Sequence, residues 1–136
     1  MPYWLLKTEP GEYSWEDLVK EGRTTWDGVK NALAQKNLQK MKQDDQVLIY
    51  HTGRERSIIG IAVVVKEPYP DDEEKGSVYL VDIVPLKKLT RPLSLQEIKK
   101  DPFFARWELV RLPRLSIMPV PSPLWEKILS LAHEMS

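Results

Sequence analysis

The segment VLIYHTGRERSIIGIAVVVK, residues 47 to 66, decides the fold class of this sequence. Both of its ends are rich in β-branched residues, which favour strands. The polar, glycine-containing stretch between them is typical of a turn. We therefore predict strands over 47–51 and 57–66, joined as a hairpin by the loop 52–56. A third run of this kind covers 78–84, after an acidic segment at 71–74 that we expect to be a solvated loop.

Predicted helices flank this strand-rich middle. The segments 14–17 and 94–97 have the spacing of a capping box, in which a serine hydroxyl and an acid three residues later satisfy free helix amides. Apolar residues at helical spacing predict another helix from near Lys30. Ser122, followed by a proline, is predicted to be the N-cap of the last helix.

The order of elements indicates the fold class. Strands are also predicted at 3–7 and 114–120, which gives the order β-α-α-β-β-β-α-β-α. This order does not alternate regularly, so we expect an α+β fold with a mixed, mostly antiparallel sheet or small barrel and not a doubly wound sheet. Because 136 residues suit one domain with one core, we predict that 1–136 form a single unit.

Composition excludes several classes of protein. No run approaches the roughly 18 apolar residues of a membrane span, and the start lacks the basic and apolar regions of a secretory signal. We therefore expect a cytoplasmic protein with no membrane partner. The absence of cysteine excludes disulfides, thiolate nucleophiles and cysteine-ligated metals. With only His51 and His133, no metal site is expected.

Charge is balanced overall but unevenly distributed. Twenty lysines and arginines match twenty aspartates and glutamates, which argues against a protein that coats nucleic acid by charge alone. Residues 87–114 nevertheless contain eight basic and three acidic residues. This excess indicates either a face that binds nucleic acid or only a solvated surface.

Enzyme motifs are missing from the sequence. It contains no GxGxxG, Walker loop, GxSxG or HExxH. Asp27 and His51 could form an acid–base pair, but no nucleophile or metal ligand set accompanies them. We therefore predict no catalytic residues and no cofactor.

The stretch WDGVKN, residues 26–31, is a better functional indication. Asp-Gly alone meets the needs of a turn, whereas an indole gains free energy by covering apolar surface. Trp26 either packs into the core beside the following helix or offers a flat face on which a base stacks. In the second case Lys30 and Asn31 would supply polar contacts.

Six short motifs together resemble the EVE domain family. They are WLLKTEP (4–10), WDGVKN (26–31), YHT (50–52), GIA (60–62), YPD (69–71) and RLSIMPV (114–120). The resemblance extends from about residue 2 to about residue 131. It implies a PUA-like fold, a curved mixed β-barrel flanked by helices. It also implies a non-catalytic domain that reads a modified nucleobase in DNA or RNA.

The resemblance further implies which residues border the base. Carried over by motif, they are Lys7, Thr8, Glu9, Trp26, Asn31, Tyr50, His51, Thr52, Arg114, Leu115 and Ser116. The expected phosphate contacts are Lys30, Lys36, Arg54 and Arg56. The expected partner is modified DNA or RNA with a single flipped base, bound by a monomer without metal or cofactor.

One departure from the family pattern concerns charge geometry. Many relatives have arginine where this chain has Lys30, and Ala-Arg-Asn where it has AQK at 34–36. Lysine keeps the charge but lacks the planar two-donor fork of arginine. We therefore expect phosphate contact to persist with weaker geometric selectivity.

Two alternatives to a base reader remain at this point. The chain could be an enzyme or binder acting on a nucleotide-like small molecule, with Asp27 or His51 as the base. It could also be a protein-interaction module, for which Phe103, Phe104 and Trp107 are the indication.

Overall fold

The computed structural model describes residues 2–71 and 78–134. Except for Asp71, the acidic loop predicted at 71–74 lies outside the described residues. The elements are β1 (Tyr3–Thr8), α1 (Trp15–Glu21), β2 (Thr24–Trp26), α2 (Ala32–Leu38), β3 (Gln46–His51), β4 (Ser57–Pro70), β5 (Tyr79–Ser94), α3 (Leu95–Lys100), a 3-10 turn (Pro102–Phe104), α4 (Glu108–Arg111), β6 (Ile117–Val120) and α5 (Ser122–Leu131). None of the described helices has the length and apolar character needed to span a membrane.

All six strands belong to one mixed sheet, in the order β2-β5-β4-β3-β1-β6. Strands β1 and β3 run parallel, and the other neighbours are antiparallel. The predicted α+β class with a mixed sheet is therefore confirmed. The predicted barrel is not confirmed, because β2 and β6 remain the two edges of an open sheet in the described part of the chain.

Strands β4 and β5 extend well beyond the predicted ends at residues 66 and 84. Their ladder shifts register at four places, and Pro68 lies within one of these shifts, between Lys66 and Tyr69. A proline cannot donate a ladder hydrogen bond, so bulges are where strands accept it. The sequence pattern also misses β2, because three residues are too few to show a strand period.

The first predicted capping box is confirmed. Ser14 Oγ accepts a hydrogen bond from Asp17 N at 3.1 Å, and the Asp17 carboxylate accepts one from Ser14 N at 2.9 Å. The second is half formed. Ser94 Oγ accepts from Glu97 N, but the Glu97 carboxylate accepts from Arg91 at 2.6 Å.

The starts of α2 and α5 differ slightly from prediction. Helix α2 begins two residues after Lys30, and Asn31 Oδ1 caps it by accepting from Ala34 N at 3.0 Å. Ser122 is the first residue of α5 and makes no side-chain capping bond, since Pro121 holds the N-cap position. The predicted Ser122 cap is therefore wrong by one residue.

The aromatic residues after α3 mainly anchor their own segment. Phe104 and Trp107 are buried, and Trp107 Nε1 donates to Pro119 O at 3.0 Å. Only Phe103 is exposed, with Lys127 Nζ 5.5 Å from its ring centre. Two of the three residues that indicated a protein-interaction module therefore belong to the core.

Helix α1 packs closely on the sheet at Gly60. A Cβ atom at this position would lie 2.7 Å from two carbons of the buried Trp15 ring. We expect Gly60→Ala to lower the free energy of unfolding by about 1 to 3 kcal/mol, because a fixed ring cannot move aside without repacking. Urea denaturation followed by tryptophan fluorescence measures this change.

Gly11→Ala is the matched control for Gly60→Ala. Its new Cβ would approach only the end of the flexible, exposed Glu9 side chain, at 3.2 Å. We expect a change within about 0.5 kcal/mol. Equal effects of the two substitutions would show that the Trp15 contact does not restrict residue 60.

Candidate functional site

The parallel pairing of β1 with β3 brings distant segments together at one end of the sheet. Lys7 lies beside Tyr50, and Thr8 lies beside His51. Lys7 N also donates to Ser116 O at 2.9 Å, which adds the segment before β6. Three of the segments selected from the sequence therefore meet at the carboxyl ends of these strands.

The loop after β2 completes this region. Gly28 has a φ of 73°, in the left-handed range that favours glycine. Gln35 Nε2 donates to Val29 O at 2.8 Å and to Tyr79 O at 3.1 Å, and Gln35 Oε1 accepts from Tyr79 N at 2.9 Å. Gln35 therefore fixes the loop that follows Trp26 against β5.

Asp82 holds the edge strand β2 in place. Its carboxylate accepts hydrogen bonds from Thr25 Oγ1 at 2.9 Å, from Tyr69 Oη at 2.6 Å and from Arg23 at 2.8 Å. Burial alone would raise the pKa of Asp82, but these three donors outweigh burial and lower its pKa. Asp82 thus adds side-chain hydrogen bonds to the backbone pairing of β2 with β5.

A cavity of about 570 Å³, here called the main cavity, opens between these segments. Its lining consists of residues 7–9, 12–13, 21, 24–30 and 116. Its volume lies within the rough range of 300 to 1,000 Å³ found for small-molecule sites. The main cavity is therefore large enough for one planar ligand.

Trp26 packs in the hydrophobic core and also lines the main cavity. It is only 8% exposed, and it meets Tyr13 edge to face with ring centres 6.1 Å apart. Tyr13 Oη donates to Glu21 at 2.5 Å. Burial, together with this hydrogen bond, raises the pKa of Tyr13 to about 12, so its hydroxyl stays protonated at neutral pH.

Hydrogen-bond acceptors predominate in the lining of the main cavity. Four carboxylates belong to it, against two lysines: Glu9, Glu12, Glu21 and Asp27, with Lys7 and Lys30. Burial lowers the pKa of Lys7, whose Nζ donates to Pro113 O at 2.9 Å. This lining suits a ligand that presents N–H donors better than it suits an anion.

The structure brings part of the predicted site together. The predicted residues that line the main cavity are Lys7, Thr8, Glu9, Trp26, Lys30 and Ser116. Their contact with a base stays a prediction. The other predicted base contacts, which are Asn31, Tyr50, His51, Thr52, Arg114 and Leu115, lie outside this lining.

His51 has a structural role. It is 2% exposed, its Nε2 accepts from Trp15 N at 2.9 Å, and its Nδ1 lies 3.1 Å from Glu55 Oε1. Both ring nitrogens are therefore engaged, and they hold the start of α1 and the loop after β3. Within 2–71 and 78–134, no group of three or more His, Asp or Glu residues is placed to hold a metal ion.

The remaining predicted residues lie in neighbouring hollows or on the surface. Tyr50, Thr52 and Arg56 line a cavity of about 280 Å³, here called the second cavity. Asn31, Arg114 and Leu115 line a third cavity, of about 360 Å³. Lys36, on α2, and Arg54, in the loop after β3, are exposed.

Eight lining residues were not among those predicted from the sequence to contact the base or a phosphate. They are Glu12, Tyr13, Glu21, Thr24, Thr25, Asp27, Gly28 and Val29. Tyr13 carried a usable signal, because an aromatic residue next to a helix cap must cover some surface. Thr24 and Thr25 carried none, since β2 is too short to recognise in the sequence.

Comparison with known proteins finds relatives that match nearly the whole chain. The EVE domain family model matches residues 2–131. Thymocyte nuclear protein 1 of Mus musculus is 30% identical, over 95% of this chain and 73% of the relative. The NMR structure of Rpa0253 from Rhodopseudomonas palustris has a TM-score of 0.95 at 32% identity, covering 100% of this chain and 96% of that chain.

A second solved structure carries information about a ligand. The human THYN1 protein, in complex with 5-methylcytosine-containing DNA, has a TM-score of 0.89 at 27% identity, with 100% of both chains covered. The family match, the sequence identity and the shared fold lead to one conclusion: this chain belongs to the EVE domain family.

Proposed function

We propose that this chain is a non-catalytic DNA-binding domain that reads a modified base, with the base held in the main cavity. The observation that carries the proposal is the convergence of Lys7–Glu9, Trp26 and Ser116, from three distant segments, on one cavity. The DNA complex of the human relative supports DNA containing 5-methylcytosine as the first candidate ligand.

The energetics of base flipping fit a cavity of this kind. Extruding a base from the duplex costs a few kcal/mol, and stacking on an aromatic side chain returns roughly 1 to 3 kcal/mol. Because Trp26 is only 8% exposed, Tyr13, whose ring meets it edge to face, would contribute to the aromatic contact. Hydrogen bonds to the base must supply the remaining free energy.

The acceptors in the lining favour a base with an exocyclic amino group. The N4 amino group of cytosine donates to carboxylates in protein–DNA complexes. Glu9, Glu12 and Asp27 supply such carboxylates in the main cavity. A 5-methyl group, in contrast, requires an apolar surface, which the Trp26 ring provides. We therefore expect a methylated cytosine to fit better than thymine, which lacks this amino donor.

In the alternative of an enzyme, Asp27 or His51 would act as the base. The geometry does not favour His51, because its ring nitrogens lie at hydrogen-bonding distance from Trp15 N and the Glu55 carboxylate. Asp27 lines the main cavity, but no nucleophile or metal ligand set was identified among the described residues to accompany it. The chemistry proposed for this chain is therefore recognition without turnover.

Titration of labelled duplexes tests the proposal. The duplexes are identical except for one cytosine or 5-methylcytosine, and a third arm uses RNA of the same sequence with the same modification. We expect the tightest binding to the modified DNA. Equal affinity for modified and unmodified DNA would contradict base reading, and tighter binding to the RNA would contradict DNA as the partner.

Trp26→Leu tests the role of the main cavity. Loss of the aromatic contact should weaken binding to modified DNA by roughly 5- to 150-fold, which corresponds to the stacking free energy. Trp125→Leu is the control. Trp125, in α5, is similarly buried at 4% exposure, but its ring stacks on Tyr3 and does not line the main cavity. Similar affinities of the two folded variants would exclude Trp26 as a ligand contact.

A further inference from the structure

The second cavity has the opposite charge character to the main cavity. Three basic side chains, Lys7, Arg56 and Lys99, line it, and no carboxylate from the described residues does so. Lys7 belongs to the linings of both cavities, which are therefore neighbours. The two cavities together would match a ligand that has a neutral part rich in hydrogen-bond donors and a separate anionic part.

The Tyr50 hydroxyl has no hydrogen-bond partner among the described residues, and Tyr50 lines the second cavity. Tyr50 as a whole is 3% exposed. Burial raises the pKa of Tyr50, although the charge of Arg56 opposes the shift, so the hydroxyl remains a donor. Most of the Tyr50 side chain is buried, but its hydroxyl oxygen is accessible, so a ligand in the second cavity that accepts hydrogen bonds can bind it.

Arg56 is held in an unusual conformation beside Tyr50. Its φ is 43°, in the left-handed range that non-glycine residues rarely adopt. Arg56 O accepts from Leu95 N at 2.7 Å, and Arg56 Nε donates to Gly53 O at 3.2 Å. The terminal guanidinium nitrogens form no ion pair within the described chain. Such strained residues cluster at binding sites.

We propose that the second cavity binds a backbone phosphate of the DNA whose modified base occupies the main cavity. This inference rests on the proposed function of the main cavity. The groups that surround the phosphate are Lys7, Tyr50, Arg56 and Lys99. The four carboxylates of the main cavity repel a phosphate, whereas the second cavity supplies three cations and a hydroxyl donor. Lys7 lines both cavities, so it would lie between the bound base and the bound phosphate.

Lys99→Gln tests the electrostatic part of this proposal, with Lys100→Gln as its matched control. Both lysines are exposed in the last turn of α3, but only Lys99 lines the second cavity. Lys99→Gln should weaken binding roughly 5- to 10-fold and reduce the slope of log affinity against log salt by about 1. Lys100→Gln should retain the wild-type slope. Equal slopes for the two variants would overturn the proposal.

Tyr50→Phe tests the hydrogen bond, with Tyr3→Phe as control because Tyr3 stacks on Trp125 instead. Loss of a hydrogen bond to a charged oxygen should weaken binding roughly 10-fold. Neutral methylphosphonates, introduced one at a time near the modified base, should reveal one position where affinity falls strongly for wild type and less for Tyr50→Phe, which retains only the three cations. If every position affects both proteins equally, the cavity does not hold a DNA phosphate.

The readouts separate this inference from the proposed function. Lys99→Gln and Tyr50→Phe should weaken binding to modified and unmodified DNA by the same factor, because a phosphate is common to both. If wild type shows no preference for the modified base, base reading fails while the Lys99 and Tyr50 effects still support the phosphate site. If Tyr50→Phe removes only the preference for the modified base, Tyr50 contacts the base and the phosphate assignment is wrong.

Discussion

Replacing Asp45 by alanine is expected to lower the free energy of unfolding by about 3 to 5 kcal/mol. Asp45 is 1% exposed, and its Oδ2 accepts from Trp4 Nε1 at 2.9 Å and from Lys42 N at 2.8 Å. The substitution leaves both donors without their charged acceptor, and each such bond contributes roughly 1.5 to 3 kcal/mol. Urea denaturation at one pH measures the difference.

Asp44→Asn is the control for this prediction. Asp44 is exposed with a φ of 75°, a conformation that asparagine tolerates. We expect a change within about 0.5 kcal/mol. A double-mutant cycle with Trp4→Phe should show that the tryptophan substitution costs less once Asp45 is absent. Additive effects of the two substitutions would rule out the Trp4–Asp45 hydrogen bond as the source of stability.

The Asp45→Ala variant also tests whether stability and DNA recognition depend on different residues. Trp4 and Asp45 lie near the starts of β1 and β3, whereas the main cavity lies at the carboxyl ends of these strands. We therefore expect the folded fraction of the Asp45→Ala protein to keep its preference for modified DNA. Trp26→Leu should instead change recognition at the site itself, because Trp26 lines the main cavity.

Features set by neighbouring residues could be predicted from the sequence. The Ser14–Asp17 capping box is confirmed because both partners lie within one helical turn. The β3–β4 hairpin follows from two β-branched runs joined by a short loop. The mixed sheet follows from the irregular order of the elements, and the family follows from six motifs. None of these predictions needed knowledge of contacts between distant segments.

The composition of the site could not be predicted in the same way. Consecutive residues of a strand point to opposite faces of the sheet. Tyr50 therefore lines the second cavity, while His51, its neighbour, accepts a hydrogen bond from Trp15. Leu115 and Ser116, in the segment before β6, also line different cavities. Motifs identify the segments that meet, whereas the local backbone geometry of each segment decides which side chains face a ligand.

Long-range pairing explains the other unpredicted features. Strand β2 exists because Thr24–Trp26 pair with β5, about 57 residues later in the chain, and not because of its own sequence pattern. Nothing in the sequence distinguishes Gln35 from other helix residues. It is nevertheless only 6% exposed, and its hydrogen bonds join the loop after Trp26 to Tyr79. Both contacts position the main cavity.

Replacing Asp82 by alanine is expected to lower the free energy of unfolding by about 2 to 4 kcal/mol, because three donors lose a charged acceptor in a partly exposed setting. Strand β2 should loosen most, since Thr25 on that strand is one of the donors. Hydrogen exchange should therefore accelerate at the backbone amides of Thr24–Trp26. We also expect weaker binding of modified DNA, because Trp26 is carried by the same strand.

The pH dependence of this effect provides its sharpest test. The pKa of Asp82 is lowered by folding, so its contribution is fully present above its ordinary pKa of 3.8 and is lost as the pH falls through the lower folded value. The difference in unfolding free energy between wild type and Asp82→Ala should stay constant from pH 7 to about 4 and narrow below that. Glu126→Ala, an exposed carboxylate on α5, should show little difference at any pH. The difference in unfolding free energy between wild type and Asp82→Ala should therefore neither narrow between pH 7 and 5 nor persist unchanged at the lowest pH. Either result would mean that Arg23, Thr25 and Tyr69 do not hold β2 through an ionised Asp82.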